Sequence, residues 1–286
     1  MDSELRYWGD MSSISNLAIA VTFFYKKDRL IFLDTISDRF QSLADRVHIY
    51  LVTNTYITEE NNSIIAVLKN KNVPFSIHRP KLLGHPYLLP WCHFELFRSL
   101  LNNDPSVSHF MYIEDDTLVT CHNVEYWLQG RLDLKEHGLI PSFLRYEKND
   151  NGDFYIVDII RQAVFDSAPK IYMNDGYCYM NMPNSYQGMY LLDRELMVEH
   201  MSGPSSNPDS GRWHIRETAT QGLTFAKVPA GFTTRNLVGF FTDSFTVDPR
   251  CLIHHTANTY VSRPQGPLAR ISLHNLVIRN EVNDPV

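Results

Sequence analysis

No apolar run in this chain reaches the roughly 18 residues that a membrane-crossing helix needs. The opening stretch, Met1 to Asn16, is polar and acidic, without the basic start and apolar middle of a secretion signal. These two absences make a cytoplasmic protein without a transmembrane segment the expectation. A basic excess is missing too: Lys and Arg number 26 against 32 Asp and Glu, for a formal charge of -6 at pH 7. A nucleic-acid partner held by bulk electrostatics needs a positive face, so no nucleic acid is expected. Cys92, Cys121, Cys178 and Cys251 are scattered and never form a C-x-x-C pair, which removes the usual zinc and redox signatures and leaves reduced, buried thiols. Internal repeats, low-complexity tracts and Pro-rich linkers are also missing, so residues 1–286 are expected to form a single domain.

What remains is the composition of an ordinary folded chain, 44% hydrophobic and 20% charged. Asn16 to Phe24 (NLAIAVTFF) is a short apolar run rich in β-branched and aromatic residues, the pattern of a strand buried on both faces. Asp28 to Leu43 reads as a helix, Val47 to Val52 as a second strand, and Glu59 to Lys69 as a second helix. Val73 to His78 is a third strand, and Pro90 opens a helix that carries Trp91, Phe94, Phe97 and Leu101 on one face. His109 to Val119 follows as a strand. This alternation predicts an α/β fold: a mainly parallel sheet with helices on both faces and a ligand crevice at the carboxyl ends of its strands. The later half is predicted to be mixed, because Leu139 to Tyr146 and Phe154 to Ile160 flank the hairpin signal Asn151-Gly152. Gly203 to Gly211 (GPSSNPDSG) reads as a loop, either a surface connection or a mobile lid. Arg212 to Lys227 reads as a helix with a core stripe of Ile215, Ala219, Gly222, Leu223 and Ala226, leaving Glu217 off the stripe.

The chemistry concentrates where Phe110-Met111-Tyr112-Ile113 runs into Glu114-Asp115-Asp116. Three adjacent carboxylates at a strand end repel one another and lose hydration, so a bound cation is a natural partner. Hard oxygen ligands suit Mg²⁺ or Mn²⁺, ions that commonly keep substrate phosphates in their coordination shell. A solvated acidic turn is the alternative.

An apolar strand ending in such acids resembles the D-x-D or E-D-D motif of the glycosyltransferase A (GT-A) superfamily of nucleotide-sugar-dependent enzymes. The resemblance implies a Rossmann-like GT-A fold, with a nucleotide-binding half over 1–120 and an acceptor-binding half over 121–286. It implies Asp116 as a ligand of Mn²⁺ or Mg²⁺, Glu114 as the ribose partner, and Asp115 beside them at the donor. Donor contacts are further implied at Thr22, Tyr25 and Asn54 on the first strand ends, at Arg79 and Lys81 in the segment His78 to Trp91, and at Gly188 within SYQGMYLLDR. Several members of the superfamily close the metal shell with a C-terminal histidine. His254 and His255 are adjacent on an extended segment, so one of them faces the ion, and His255 is preferred. Glu217 then stands as the general base of an inverting reaction. Arg145, Glu147 and Asp175 are acceptor-side candidates, with surface salt bridging as the simpler alternative for them. Tyr25 also suits a core position, Gly188 a tight turn, and Glu217 a solvated pair with Arg216.

The implied activity is transfer of a sugar from a nucleotide-sugar donor, UDP-linked, to a saccharide acceptor. Bacterial surface or capsular polysaccharide synthesis is the setting by analogy, in the cytoplasm or peripheral to the inner membrane. Two other classes stay open: a metal-dependent phosphoester hydrolase built on Asp115, Asp116 and the histidine pair, and a non-catalytic carbohydrate-binding protein. A sugar-phosphate nucleotidyltransferase is disfavoured, because Phe23 to Arg29 (FFYKKDR) lacks the glycine-rich loop it would need.

Overall fold

Seven consecutive buried residues, Leu17–Phe23, form β1. Burial on both faces is what an interior strand of a parallel sheet requires. The computed structural model describes residues 13–279 except 82, 174, 175, 185 and 264, so Asp175 lies outside the described residues. β2 (Val47–Thr53), β3 (Phe75–His78) and β4 (His109–Glu114) run parallel to β1 in the order β3-β2-β1-β4. The strand Met189–Asp193 closes the β4 edge in antiparallel sense. Crossovers are made by α1 (Leu30–Phe40), α2 (Thr58–Lys69) and α3 (His93–Asn103). The chain is therefore mixed α/β with open sheets, and its first strands and helices fall close to where the apolar pattern predicts them. No helix among the described residues is long and apolar enough to cross a membrane.

After β4 the chain turns through Asp115 and Asp116 into β5 (Thr117–Leu118). This short strand belongs to a second sheet, ordered Ile271–Ser272, Phe154–Ile156, Leu144–Lys148, Leu252–His255, β5. Gly152, at a φ of +85°, makes the hairpin turn between Leu144–Lys148 and Phe154–Ile156 that Asn151-Gly152 predicts. A third sheet joins Lys170–Tyr172, Tyr177–Met180, Asn236–Phe241 and Thr246–Val247. One hydrophobic cluster contains β1 and β4 residues together with Phe143, Ile156, Phe240 and Ile253 from the later sheets.

The register of the second sheet decides what reaches the acidic turn. Leu252–His255 lies antiparallel to β5, with His255 opposite Thr117, and Thr256 N donates to Asp116 O at 2.7 Å. That strand is held from below by α4 (Cys121–Leu134), which starts directly after β5. Buried Asn123 donates from Nδ2 to the carbonyls of Arg250 at 2.7 Å and Leu252 at 2.9 Å. Its Oδ1 accepts from Thr120 N at 2.8 Å.

The segment 212–227 departs from expectation. In place of a long striped helix there is one turn, α6 (Ile215–Thr218), followed by irregular turns, and Ile215 is exposed. The reason is local. Thr218, Thr220 and Thr224 send their hydroxyls to nearby backbone carbonyls, which competes with helix propagation. Gly222 then takes a φ of +52°, outside the right-handed helical region. Residues 203–211 contain two 3-10 turns, Pro204–Ser206 and Pro208–Ser210, after α5 (Arg194–Ser202), in agreement with the loop read from the sequence.

Because Asn123 satisfies four backbone or hydroxyl partners from a buried position, Asn123→Ala leaves several polar groups unpaired. A loss of about 2–4 kcal/mol of stability is expected in urea unfolding. A loss below about 0.5 kcal/mol would show that the anchoring of the Leu252–His255 strand does not depend on this side chain.

Candidate functional site

A cleft of about 970 Å³ opens at the carboxyl ends of β1 and β4, where an open parallel sheet leaves room between its strand-end loops. Its floor contains Thr22, Tyr112 and the three acids. Thr22 and Glu114 are neighbours in register on β1 and β4, and Tyr112 precedes Glu114 by two residues, so the three share one face of the sheet.

Arg145 meets Glu114, while Asp115 and Asp116 share Arg29 and Asp116 also meets His255. Glu114 receives Arg145 Nη1 at 3.2 Å on one oxygen and the Tyr186 hydroxyl at 3.1 Å on the other. Arg145 itself is clamped by two bonds of 2.9 and 2.8 Å to Asp158 and lies over the Tyr186 ring. Asp115 takes Arg29 in a two-bond grip, 2.8 Å to Nε and 2.5 Å to Nη2. The same Nη2 reaches Asp116 Oδ2 at 2.9 Å, and His255 Nε2 stands 3.4 Å from that oxygen. Asp116 Oδ1 accepts no hydrogen bond among the described residues, and Asp116 lines the cleft.

The charges follow from these contacts. Burial, with Glu114 and Asp116 as neighbours, pushes the Asp115 carboxyl up to about 7 even though Arg29 opposes it. Burial would raise Asp116 as well, but hydrogen bonding and charge from His255 and Arg29 hold it well below the usual carboxylate range. His255 loses affinity for its proton through burial and regains more from Asp116 and Glu147, ending at about 9. Glu147, fully enclosed, is held below its ordinary value despite burial by the His255 bond and by the amides of Val261 and Tyr260.

The positions named from sequence divide into two groups. Thr22, Glu114, Asp115, Asp116, Glu217 and His255 all line the cleft. Tyr25, Asn54, Arg79, Lys81 and Gly188 are not among its lining residues. Asn54 Oδ1 accepts from Tyr25 N at 2.8 Å, tying the ends of β1 and β2 together. Arg79 is occupied with Thr55 O and Asn61, and Lys81 is exposed. Gly188 sits behind the floor at a φ of +64°, where an added Cβ would lie 2.8 Å from Arg145 Nη1 and 2.9 Å from Glu114 Oε2. Of the two histidines, His255 faces Asp116, while His254 points the other way and stacks on Tyr146. Glu217 pairs with Arg216 at 2.5 and 2.9 Å through Oε1. Arg145 and Glu147, for which surface salt bridging was the simpler expectation, are both buried, because alternate residues of their strand share its enclosed face; Arg145 lines the cleft and Glu147 does not.

Sequence reasoning passed over Arg29, Asp158 and Tyr260. Arg29 lies in FFYKKDR directly after the first strand, at the strand end where ligands gather, and that position was its available signal. Asp158 and Tyr260 carried none. A separate group, Cys121, His122 and Glu125 on the first turn of α4, brings three ligand atoms within 4.8 Å of one another, but none of these residues lines the cleft. The chain matches no known protein-family model and no curated protein.

The raised His255 value sets a pH window. A group whose folded value exceeds its unfolded one stabilises the fold fully below the unfolded value, near 6.5, and that contribution disappears as pH rises through about 9. For the metal-free protein, the stability difference between wild type and His255→Gln is expected to shrink by up to about 3 kcal/mol between pH 6 and pH 10. Urea unfolding across that range reads it. A difference that stays constant would mean that His255 does not carry the proton between Asp116 and Glu147.

Proposed function

We propose that this chain is a metal-dependent glycosyltransferase of the GT-A type, moving a sugar from a nucleoside-diphosphate donor, UDP-linked, to a saccharide acceptor. The observation that carries the proposal is the convergence of Asp116, from the end of β4, with His255, from the second sheet, inside a cleft large enough for a nucleotide. The donor set fits Mn²⁺ or Mg²⁺. One carboxylate oxygen and one imidazole nitrogen stand 3.4 Å apart. That separation suits neighbouring ligands of a single ion with bonds of about 2.1–2.2 Å. A divalent cation bound there would neutralise the charge that develops on the departing diphosphate.

The protein's own groups supply the rest. Lys26, Arg212 and Arg263 line the cleft and make no ion pair among the described residues, which suits them to phosphate oxygens. Glu114 is held rigidly by Arg145 and Tyr186 and offers a fixed acceptor for a ribose hydroxyl. Trp213 meets Tyr186 edge to face at 5.1 Å, giving aromatic surface for a saccharide. Glu217 is the proposed base. Arg216 fixes its Oε1, while Oε2 accepts no hydrogen bond among the described residues and is free to take the proton of an acceptor hydroxyl. Bacterial surface or capsular polysaccharide assembly, in the cytoplasm or against the inner membrane, belongs to the same proposal as its setting.

Two measurements test it. Mn²⁺ or Mg²⁺ together with a nucleoside diphosphate is expected to raise the melting temperature, and Asp116→Asn is expected to abolish that rise and cut transfer by about 10²-fold or more. No metal-dependent shift with any of the uridine, cytidine, guanosine or adenosine diphosphates would sink the proposal, and hydrolysis of a simple phosphoester would move it to the hydrolase class. For the base, Glu217→Gln is expected to lower turnover by about 10²- to 10⁴-fold while leaving nucleotide binding intact. Nuclear magnetic resonance of the product should show an inverted anomeric centre, and a retained one eliminates the single-displacement role of Glu217.

A further inference from the structure

Glu147 is not among the cleft's lining residues, yet both oxygens of its carboxylate are engaged. It is fully buried on the strand Leu144–Lys148, beside the strand that carries His255. One oxygen, Oε1, lies 2.6 Å from His255 Nδ1. The other, Oε2, accepts from the backbone amides of Tyr260 at 2.9 Å and Val261 at 2.6 Å. A carboxylate can only accept here, so His255 Nδ1 carries hydrogen and Nε2 is the nitrogen turned toward Asp116. The two amides cannot reverse their polarity either. Both oxygens of Glu147 are therefore fixed in role by partners on opposite sides.

We propose that Glu147 is a positioning residue for the cation site: it keeps hydrogen on His255 Nδ1, so that Nε2 is the nitrogen that gives up its proton and turns a lone pair to an ion, and it ties that setting to the Tyr260–Val261 backbone beside the cleft. The proposal rests on the reading of Asp116 and His255 as ligands. Its second half follows from the neighbours of those amides. Thr259, Tyr260 and Arg263 line the cleft, and the Tyr260 ring lies 5.4 Å from the His255 ring. Anchoring this segment and orienting the imidazole are thus done by the same carboxylate.

Glu147→Gln separates the two roles by chemistry. The glutamine carbonyl must stay on the two amides, which have hydrogen to give and nothing to accept with. Its NH₂ then faces His255 Nδ1. To avoid two donors in contact, the imidazole must accept at Nδ1 and keep its hydrogen on Nε2, which blocks a cation there, whereas the wild-type ring can release its Nε2 proton and remain bonded through Nδ1. A group that orients a ligating histidine in this way typically costs 10- to 100-fold in metal affinity when changed.

The experiment is a titration of full-length wild type and Glu147→Gln with Mn²⁺ in the presence of uridine diphosphate, followed by isothermal calorimetry, with ¹⁵N-histidine spectra of both proteins. Affinity is expected to fall 10- to 100-fold in the variant. The hydrogen-bonded Nδ1–H signal of His255 is expected in wild type and lost in the variant. In a His255→Ala background the Glu147 change should add no further loss of affinity, since the effect passes through the imidazole. An unchanged affinity, or an additive loss in that background, overturns the proposal. If wild type binds no Mn²⁺, the glycosyltransferase reading fails, and the spectra alone then decide Glu147: a Nδ1–H signal that persists in Glu147→Gln refutes the positioning role. Should the variant not fold, the wild-type spectrum decides instead, and a His255 ring without hydrogen on Nδ1 refutes it.

Discussion

The acidic turn is an electrostatic problem that much of the surrounding structure answers. Glu114, Asp115 and Asp116 are consecutive and largely enclosed, and a buried charge without a partner costs several kcal/mol. Three cations from three parts of the chain meet them: Arg29 from the end of β1, Arg145 from the second sheet and His255 from the strand beside it. Arg29 is the informative one, since its guanidinium spans Asp115 and Asp116 together. Under the proposed function, a divalent ion at Asp116 would take over the charge that Arg29 and the His255 proton now supply. The turn's negative charge is thereby balanced by groups of the chain itself.

The supporting groups are packed tightly enough that few of them can be changed singly. Arg145 is committed to Asp158 and Glu114 and covered by Tyr186, while Gly188 leaves no space behind it for even a methyl group. Asn123 fastens the strand that delivers His255, and Glu147 orients the imidazole once it arrives. This side of the cleft is therefore preorganised, which is what electrostatic stabilisation of a developing charge requires. The opposite wall is built differently. Trp91 Nε1 bonds the Ile215 carbonyl at 2.7 Å, and Arg216 lies across the Tyr87 ring, joining the 3-10 turn Pro86–Cys92 to α6. Its contacts are made by loops and a single helical turn.

By itself the sequence determined the first half of the fold and the place of the acidic turn at a strand end. Strands such as Leu17–Phe23 are apolar on both faces, and that signal is local, so β1 to β3 could be read within two residues of their observed limits, while the expected strand His109 to Val119 divides at the acidic turn into β4 and β5. An apolar strand ending in three acids is equally local, and it pointed to the floor of the cleft. Alternation along an extended segment fixed that one histidine of the His254-His255 pair would face inward, and His255 does. Tertiary structure alone decided the partners. Register between Leu252–His255 and β5 brings residues 255 and 116 together across almost half the chain, and no pattern in either segment encodes that pairing. The same holds for Glu147: a charged residue in a strand looks solvated until the neighbouring strand supplies a histidine and the loop beyond it supplies two amides. In 212–227 the apolar spacing suggested a helix, but threonine hydroxyls and Gly222 bind the backbone locally into turns, because side-chain competition for carbonyls and a positive φ outweigh a stripe of small residues.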